Sequence, residues 1–185
     1  MKKIILASAS PRRKELLETA GAEFEILVAD VDETVPEGTL PEDAAVMTAE
    51  KKALAVAESN GNAVVIGADT IVVAGDKILG KPRDKADACA MLRMLSGVDH
   101  RVITGVCIAC QDKKITFAQT SKVKFYDLTD AEIEAYVATN ESEDKAGAYG
   151  IQGRGCVLVE KIEGDYFNIV GLPVARVMRE IGKLM

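Results

Sequence analysis

K-I-I-L-A-S-A-S-P-R-R-K-E-L-L, Lys3 to Leu17, is the stretch that decides how the rest of the chain is read. An apolar strand pattern over Lys3–Ala7 runs into Ser8, Ala9 and Ser10, and a helical pattern then covers Pro11–Ala20. Leu16, Leu17 and Ala20 form the inward stripe of that helix, and Gly21 is a natural stop. Ser10 is the expected N-cap and Pro11 the first helical position. A strand that hands the chain to a helix N-terminus is the unit of an α/β protein. The free N–H groups and the positive end of the helix dipole favour an anion, and Arg12 and Arg13 add charge there. The stretch therefore predicts a phosphate site.

The segments further along extend the α/β reading. Phe24–Val28 is a second strand, followed by the acidic loop Ala29-Asp30-Val31-Asp32-Glu33-Thr34. Pro41–Asn60 is a long Ala-rich helix in which Ala45, Ala49, Lys52 and Val56 share one stripe. A lysine on that stripe either snorkels to the core edge or reaches into a cleft. Ala63–Ala68 is an apolar run with the look of a strand buried on both faces, ending at Asp69 and Thr70. Carboxylates at the ends of such strands are where α/β proteins place their chemistry.

Ile71–Val73 and Lys77–Leu79 predict a hairpin around Gly75-Asp76, and Gly80-Lys81-Pro82-Arg83 a rigid basic turn. A helix over Asp84–Leu95 follows. Arg101–Cys110 and Ile115–Leu128 read as an antiparallel pair joined by Gln111–Lys114, and Thr129–Thr139 as a helix with a capping box from Thr129 to Glu132. The Gly-rich segment Asp144–Gly155 implies close backbone approach. Cys156–Ile162 and Phe167–Val170 are expected strands, and Val174–Ile181 is the last helix.

Composition narrows the function classes. The 185 residues fit one domain, 1–185, with room for two lobes, and no repeat or linker divides them. A net charge of −6 and the absence of Trp argue against a nucleic-acid binder, and against an acidic membrane surface as partner. No apolar run approaches the roughly 20 residues that span a bilayer. The start, Met1-Lys2-Lys3 and a short apolar stretch closed by Pro11-Arg12-Arg13, reads as a strand rather than a signal peptide. Cys89, Cys107, Cys110 and Cys156 lack a disulfide spacing, which leads us to expect reduced thiols in the cytoplasm. Cys107 and Cys110 fall on opposite faces of a strand and are expected to be structural.

Eight polar residues fall at predicted strand ends, turns and helix starts: Ser8, Arg12, Arg13, Glu33, Lys52, Asp69, Lys81 and Gln152. The cations suit a polyphosphate. The two carboxylates suit Mg²⁺ or Mn²⁺, which take oxygen ligands and share them with substrate phosphates. Together they point to metal-assisted hydrolysis of a phosphoric anhydride. Neither G-x-x-x-x-G-K-[ST] nor G-x-G-x-x-G is present. The lone histidine, His100, reads as an exposed surface residue at a strand start rather than a catalyst. Residue pattern alone reaches a phosphate-binding α/β enzyme.

The segments taken together resemble the Maf family of nucleoside triphosphate pyrophosphatases. The resemblance lies in S-A-S-P-R-R at Ser8–Arg13, D-E at Asp32–Glu33, K-A-L-A at Lys52–Ala55, G-A-D-T at Gly67–Thr70 and G-K-P at Gly80–Pro82. It continues through T-G-V at Thr104–Val106, K-A-G-A-Y-G-I-Q-G at Lys145–Gly153 and N-I-V-G-L-P at Asn168–Pro173. It implies a two-lobed mixed α/β fold with flanking helices and a central groove, of Maf/ITPase-like type, and a homodimer. The implied reaction converts a nucleoside triphosphate and water to the monophosphate and pyrophosphate with a divalent cation.

The same resemblance puts the proton acceptor on Asp69 and the polar cluster on Ser8, Arg13, Glu33, Lys52 and Lys81. It puts substrate choice on Arg12, Thr70 and Gln152, in the combination of the branch that hydrolyses dTTP and UTP rather than 7-methyl-GTP. In that reading Ser8, Arg13, Lys52 and Lys81 hold phosphate, and Glu33 and Asp69 hold the metal. Two alternatives stay open. One is a regulatory protein that binds nucleotide without turning it over, suggested by the family's association with septum formation. The other is the same chemistry on another or a modified base.

Overall fold

The computed structural model describes residues 2–111 and 113–184. Helices and strands alternate through the first half: β1 (Ile4–Leu6), α1 (Pro11–Thr19), β2 (Phe24–Ile26), α2 (Pro41–Ala57), β3 (Val64–Ala74), β4 (Lys77–Leu79) and α3 (Lys85–Leu95). The long strands β5 (Asp99–Cys110) and β6 (Lys113–Phe125) follow, then α4 (Asp130–Val137), β7 (Val159–Glu163), α5 (Tyr166–Val170) and α6 (Val174–Gly182). Asp112, in the expected connection between β5 and β6, lies outside the described residues. The strands form a mixed sheet in the order β2-β1-β3-β5-β6-β7, with β4 paired to β3. The expected α/β class with a mixed sheet and flanking helices is the fold observed.

The chain divides into two compact units. The first comprises Met1–Thr70, Thr104–Gln119 and Gly171–Met185. Here β1 runs parallel to β2 and to the start of β3, with Ile5 opposite Glu25 on one side and Val65 on the other. Residues Val64–Ala68 are buried without alternation, as parallel strands covered on both faces are. One covering layer is α2. Ala49, Ala53 and Val56 pack with Ile5, Ala7, Val65 and Cys107 in one core cluster.

Glycines let this helix lie almost on the backbone of the sheet. A Cβ on Gly67 would stand 2.2 Å from the Ala49 carbonyl oxygen, and one on Gly105 would stand 2.2 Å from the Ala45 carbonyl carbon. No side chain fits at either place. Successive strand residues face opposite sides. Val65, Gly67 and Asp69 therefore look toward α2, while Ile66, Ala68 and Thr70 look the other way.

The second unit comprises Ile71–Ile103 and Thr120–Val170. The end of β3 and β4 form the expected hairpin, with Val73 opposite Ile78, and β6 pairs antiparallel with β7. Asp84 caps α3 by accepting from the Asp87 N–H at 2.8 Å. The Thr129–Glu132 capping box of α4 is present in both directions. Gly147, at φ 69°, packs against Val72, and its N–H donates to the Gly80 carbonyl at 3.0 Å.

Four sequence expectations are corrected. First, β3 does not end at Asp69 and Thr70 but continues to Ala74, because Ile71-Val72-Val73 prolongs the same strand into the hairpin. Second, Phe167–Val170 is not a strand but lies in α5. Asp165 accepts from the Phe167 N–H at 2.8 Å, the kind of local bond that starts a helical turn. Within the turn, buried Asn168 donates to the Val102 carbonyl and to Ser121 Oγ, each at 3.0 Å.

Third, Cys156 lies in a 3-10 turn, Gly153–Leu158, ahead of β7. The chain doubles back there so closely that a Cβ on Gly155 would stand 2.1 Å from the Gly150 carbonyl oxygen. Fourth, His100 is not at the surface but only 2% exposed. Its ring meets Phe125 and Tyr149 edge-on, with centroids 5.0 and 5.4 Å away, and Nε2 is hydrogen-bonded to the Tyr149 hydroxyl at 2.8 Å. Burial lowers its pKa to about 4. Cys107 and Cys110 are buried free thiols, as expected, and burial pushes the Cys107 thiol up to about 12.

Candidate active site

Two polar networks form at the end of the first unit's sheet, one on each face. They diverge at Asp69 and Thr70, which are adjacent in β3 and so point to opposite sides.

On the α2 face, Lys52 sits one turn beyond Ala49, and Ala49 rests on Gly67. Asp69 is the next residue on that side of the strand. The helix thus carries the lysine ammonium to the carboxylate, with Nζ 2.9 Å from Asp69 Oδ1. The same Nζ lies 3.0 Å from Glu33 Oε1. The Lys52 and Asp69 side chains are 16% and 19% exposed, whereas Glu33 is 58% exposed, so the cluster is half-buried and open on the Glu33 side. Glu33 stands in a loop without regular structure. Lys51 holds this loop to α2, donating to the Asp32 carbonyl at 2.9 Å and the Thr34 carbonyl at 2.6 Å.

On the other face, Arg13 is buried and held at three nitrogens. Nε donates to the Gly171 carbonyl at 2.8 Å, Nη1 to Ser8 Oγ at 3.0 Å and Nη2 to Thr70 Oγ1 at 3.1 Å. Thr70 Oγ1 is also 2.9 Å from Thr104 Oγ1, and the Gly171 carbonyl lies 3.4 Å from it. Gly171 has φ 131°, a conformation that suits glycine and turns its carbonyl toward the arginine. Burial lowers the Arg13 pKa from its ordinary value. The Asp69 charge opposes that shift, and the neighbouring Arg12 adds to it.

Ser8 Oγ accepts from the Ser10 N–H at 3.2 Å as well as from Arg13. Both lone pairs are then engaged, and the hydroxyl proton remains to be donated. The expected cap of α1 is present, with Ser10 Oγ accepting from the Arg13 N–H at 3.5 Å and Pro11 following as the first helical residue. Arg12 is partly exposed in the first turn.

The structure thus brings Ser8, Arg13 and Thr70 into one network and Glu33, Lys52 and Asp69 into another, all within the first unit. Lys81 and Gln152 belong to the second unit. Lys81 is exposed in the turn before α3, and Gln152 is half-buried in the Gly-rich loop. That loop is tied down where the Gly150 N–H donates to the Tyr136 hydroxyl and where both Glu141 carboxylate oxygens accept from the Arg154 N–H.

Comparison with known proteins identifies the lineage. The family model described as Maf-like protein matches residues 3–184. The chain belongs to the Maf family. It is 54% identical over 181 residues to the dTTP/UTP pyrophosphatase of Bacillus anthracis, covering 98% of this chain and 95% of that protein. The proteins of the same name from Bacillus cereus (strain AH820) and Bacillus mycoides (strain KBAB4) match at the same identity and coverage.

Among solved structures, a HAM1 protein from Coxiella burnetii aligns with a TM-score of 0.56 at 12% identity, covering 99% of this chain and 100% of that one. The Ham1 protein of Staphylococcus aureus aligns at 0.54 and 16% identity, covering 85% and 80%. These two establish the shared fold. Within this Maf chain, Thr104 and Gly171 are the site residues that residue reasoning left without a role. Their motifs T-G-V and N-I-V-G-L-P were the available signal.

Proposed function

We propose that this chain hydrolyses nucleoside triphosphates, dTTP and UTP foremost, to the monophosphate and pyrophosphate. The observation that carries the reading is its near full-length match, at 54% identity, to relatives named for that activity. The first unit's geometry supports it. Asp69 is a half-buried carboxylate held at one oxygen by Lys52, and its second oxygen can accept a proton from an attacking water. The water oxygen bonds to the α-phosphorus, the bridge between the α- and β-phosphates breaks, and the proton passes to Asp69 while pyrophosphate leaves.

Lys52, the donating Ser8 hydroxyl and the two N–H groups of Arg13 beyond its three bonds are suited to phosphate oxygens. Lys81 completes the proposed phosphate contacts, and Arg12, Thr70 and Gln152 are the proposed base-reading residues, carried by the family motifs.

Glu33 and Asp69 fit a divalent cation, Mg²⁺ or Mn²⁺. They offer hard oxygen donors within 3.0 Å of one ammonium, so a cation arriving there meets groups already disposed around a positive charge. A cation held by these two carboxylates would complete its shell from substrate phosphates and water. When bound, the cation neutralises charge on the triphosphate.

The proposal extends to a cytoplasmic homodimer that clears modified pyrimidine nucleotides and touches septum formation. The free cysteines support a reducing compartment. Among the described residues, no helix is long and apolar enough to cross a membrane.

The test is a screen of purified protein against dTTP, UTP, CTP, GTP, ATP and modified pyrimidine triphosphates with Mg²⁺ or Mn²⁺, read as pyrophosphate release. Highest kcat/KM on dTTP and UTP is expected. Tight nucleotide binding without pyrophosphate release would replace this reading with a regulatory one.

A further inference from the structure

We propose that Thr104 is a positioning residue for substrate discrimination, acting through Thr70. The inference rests on the reading of Thr70 as a base-selecting residue and adds a residue to which no role has been given.

Thr104 is fully buried in β5, and Thr70 lies in its neighbour β3 at the end of the parallel core. Their hydroxyls are 2.9 Å apart. A threonine hydroxyl has one proton and two lone pairs. Arg13 Nη2 takes one lone pair of Thr70, and the remaining proton and lone pair are divided among Thr104, the Gly171 carbonyl and an incoming substrate. If Thr104 accepts, the Thr70 proton points into β5 and a lone pair is left for substrate. If Thr104 donates, both lone pairs are filled and the Thr70 proton turns toward Gly171. In either arrangement Thr104 decides what Thr70 can offer a base.

The position is built for this. Gly105, the next residue, admits α2 to backbone contact on the opposite face, so β5 has no room to move toward that helix. β-Branching further restricts the Thr104 rotamer, so the hydroxyl has a fixed address.

The test compares the parent with Thr104→Val, Thr104→Ser, Thr70→Val and the Thr70→Val/Thr104→Val double variant. The readout is the ratio of kcat/KM for UTP to that for CTP, with thermal melts to verify folding. Removing one buried hydrogen bond corresponds to about a fivefold change in that ratio, which is expected for Thr104→Val. Thr104→Ser, which retains the hydroxyl, is expected within about twofold of the parent. In the Thr70→Val background, adding Thr104→Val is expected to change nothing further, as coupled residues do.

An unchanged ratio in Thr104→Val beside a changed one in Thr70→Val overturns this inference alone. An unchanged ratio in both shows that Thr70 does not select the base, and the inference falls with that reading. A change in Thr104→Val that persists undiminished without the Thr70 hydroxyl also overturns it. Thr104→Ala carries the same readout should the valine variant not fold.

Discussion

Lys52 and Asp69 form a 2.9 Å ion pair because α2 touches the β3 backbone at Gly67. The pair is a product of packing before it is one of charge. The separation between helix and strand is set by a residue with no side chain, and the lysine and carboxylate meet one helical turn further along.

Gly67→Ala tests that dependence. The added methyl would meet backbone at 2.2 Å, which α2 can relieve only by moving off the sheet. Overpacking of this kind costs about 1–3 kcal/mol. Urea unfolding is expected to show a loss in that range, and pyrophosphate release is expected to fall more than the folded fraction does. A stable variant with full activity would disconnect the packing from the site.

Lys52→Met separates charge from stability. The Glu33 pair is open to water and contributes little, but Asp69 is 19% exposed and loses its partner, so a loss of about 1–3 kcal/mol in unfolding free energy is expected. If Lys52 holds phosphate as proposed, its loss removes charge stabilisation in the transition state, and a fall in kcat/KM of about 10²- to 10³-fold is expected. Melting curves and steady-state kinetics on one preparation check both halves.

His100 makes a prediction about pH. Its pKa is about 4 in the fold, below the ordinary histidine value, because burial disfavours the charged ring. The unfolded chain therefore takes up a proton on this residue before the folded one does. The resulting stability is present above the ordinary value near 6.5 and is lost as pH falls toward 4, by about 3 kcal/mol in all. His100→Gln retains a hydrogen-bonding side chain beside Tyr149 without the titration. Its melting temperature is expected to fall less steeply between pH 7 and pH 4 than that of the parent. Equal slopes would show that His100 does not carry the acid sensitivity.

Much of this was legible in the sequence, for reasons that differ from residue to residue. The Ser10 cap, the Pro11 start and the Thr129–Glu132 box are local chemistry and appear as read. The stripe that carries Lys52 is a helical period shared with Ala49 and Val56, which pack on the sheet, but the period leaves open whether the lysine snorkels or reaches a partner, and only the fold brings it to Asp69. Asp69 reads as a buried-strand carboxylate from sequence, but an apolar run interrupted by Asp-Thr looks finished there, and the continuation of the strand to Ala74 is not legible.

The α5 residues Phe167–Val170 carry no periodicity that separates strand from helix. The Asp165 bond and the contacts of Asn168 decide the matter, and both are invisible before folding. His100 looked exposed between Asp99 and Arg101, because only the fold supplies Phe125 and Tyr149 around it. The three-nitrogen anchoring of Arg13 joins residues as far apart as Ser8 and Gly171, a separation that motif reading does not bridge.

The most direct measurement of the central claim is pyrophosphate release from UTP by the parent and by Asp69→Asn. Asparagine keeps an oxygen for Lys52 and removes the proposed proton acceptor. An unchanged melting temperature and a fall in kcat of about 10²- to 10⁴-fold are expected from that role. Normal turnover by a folded Asp69→Asn protein would contradict it.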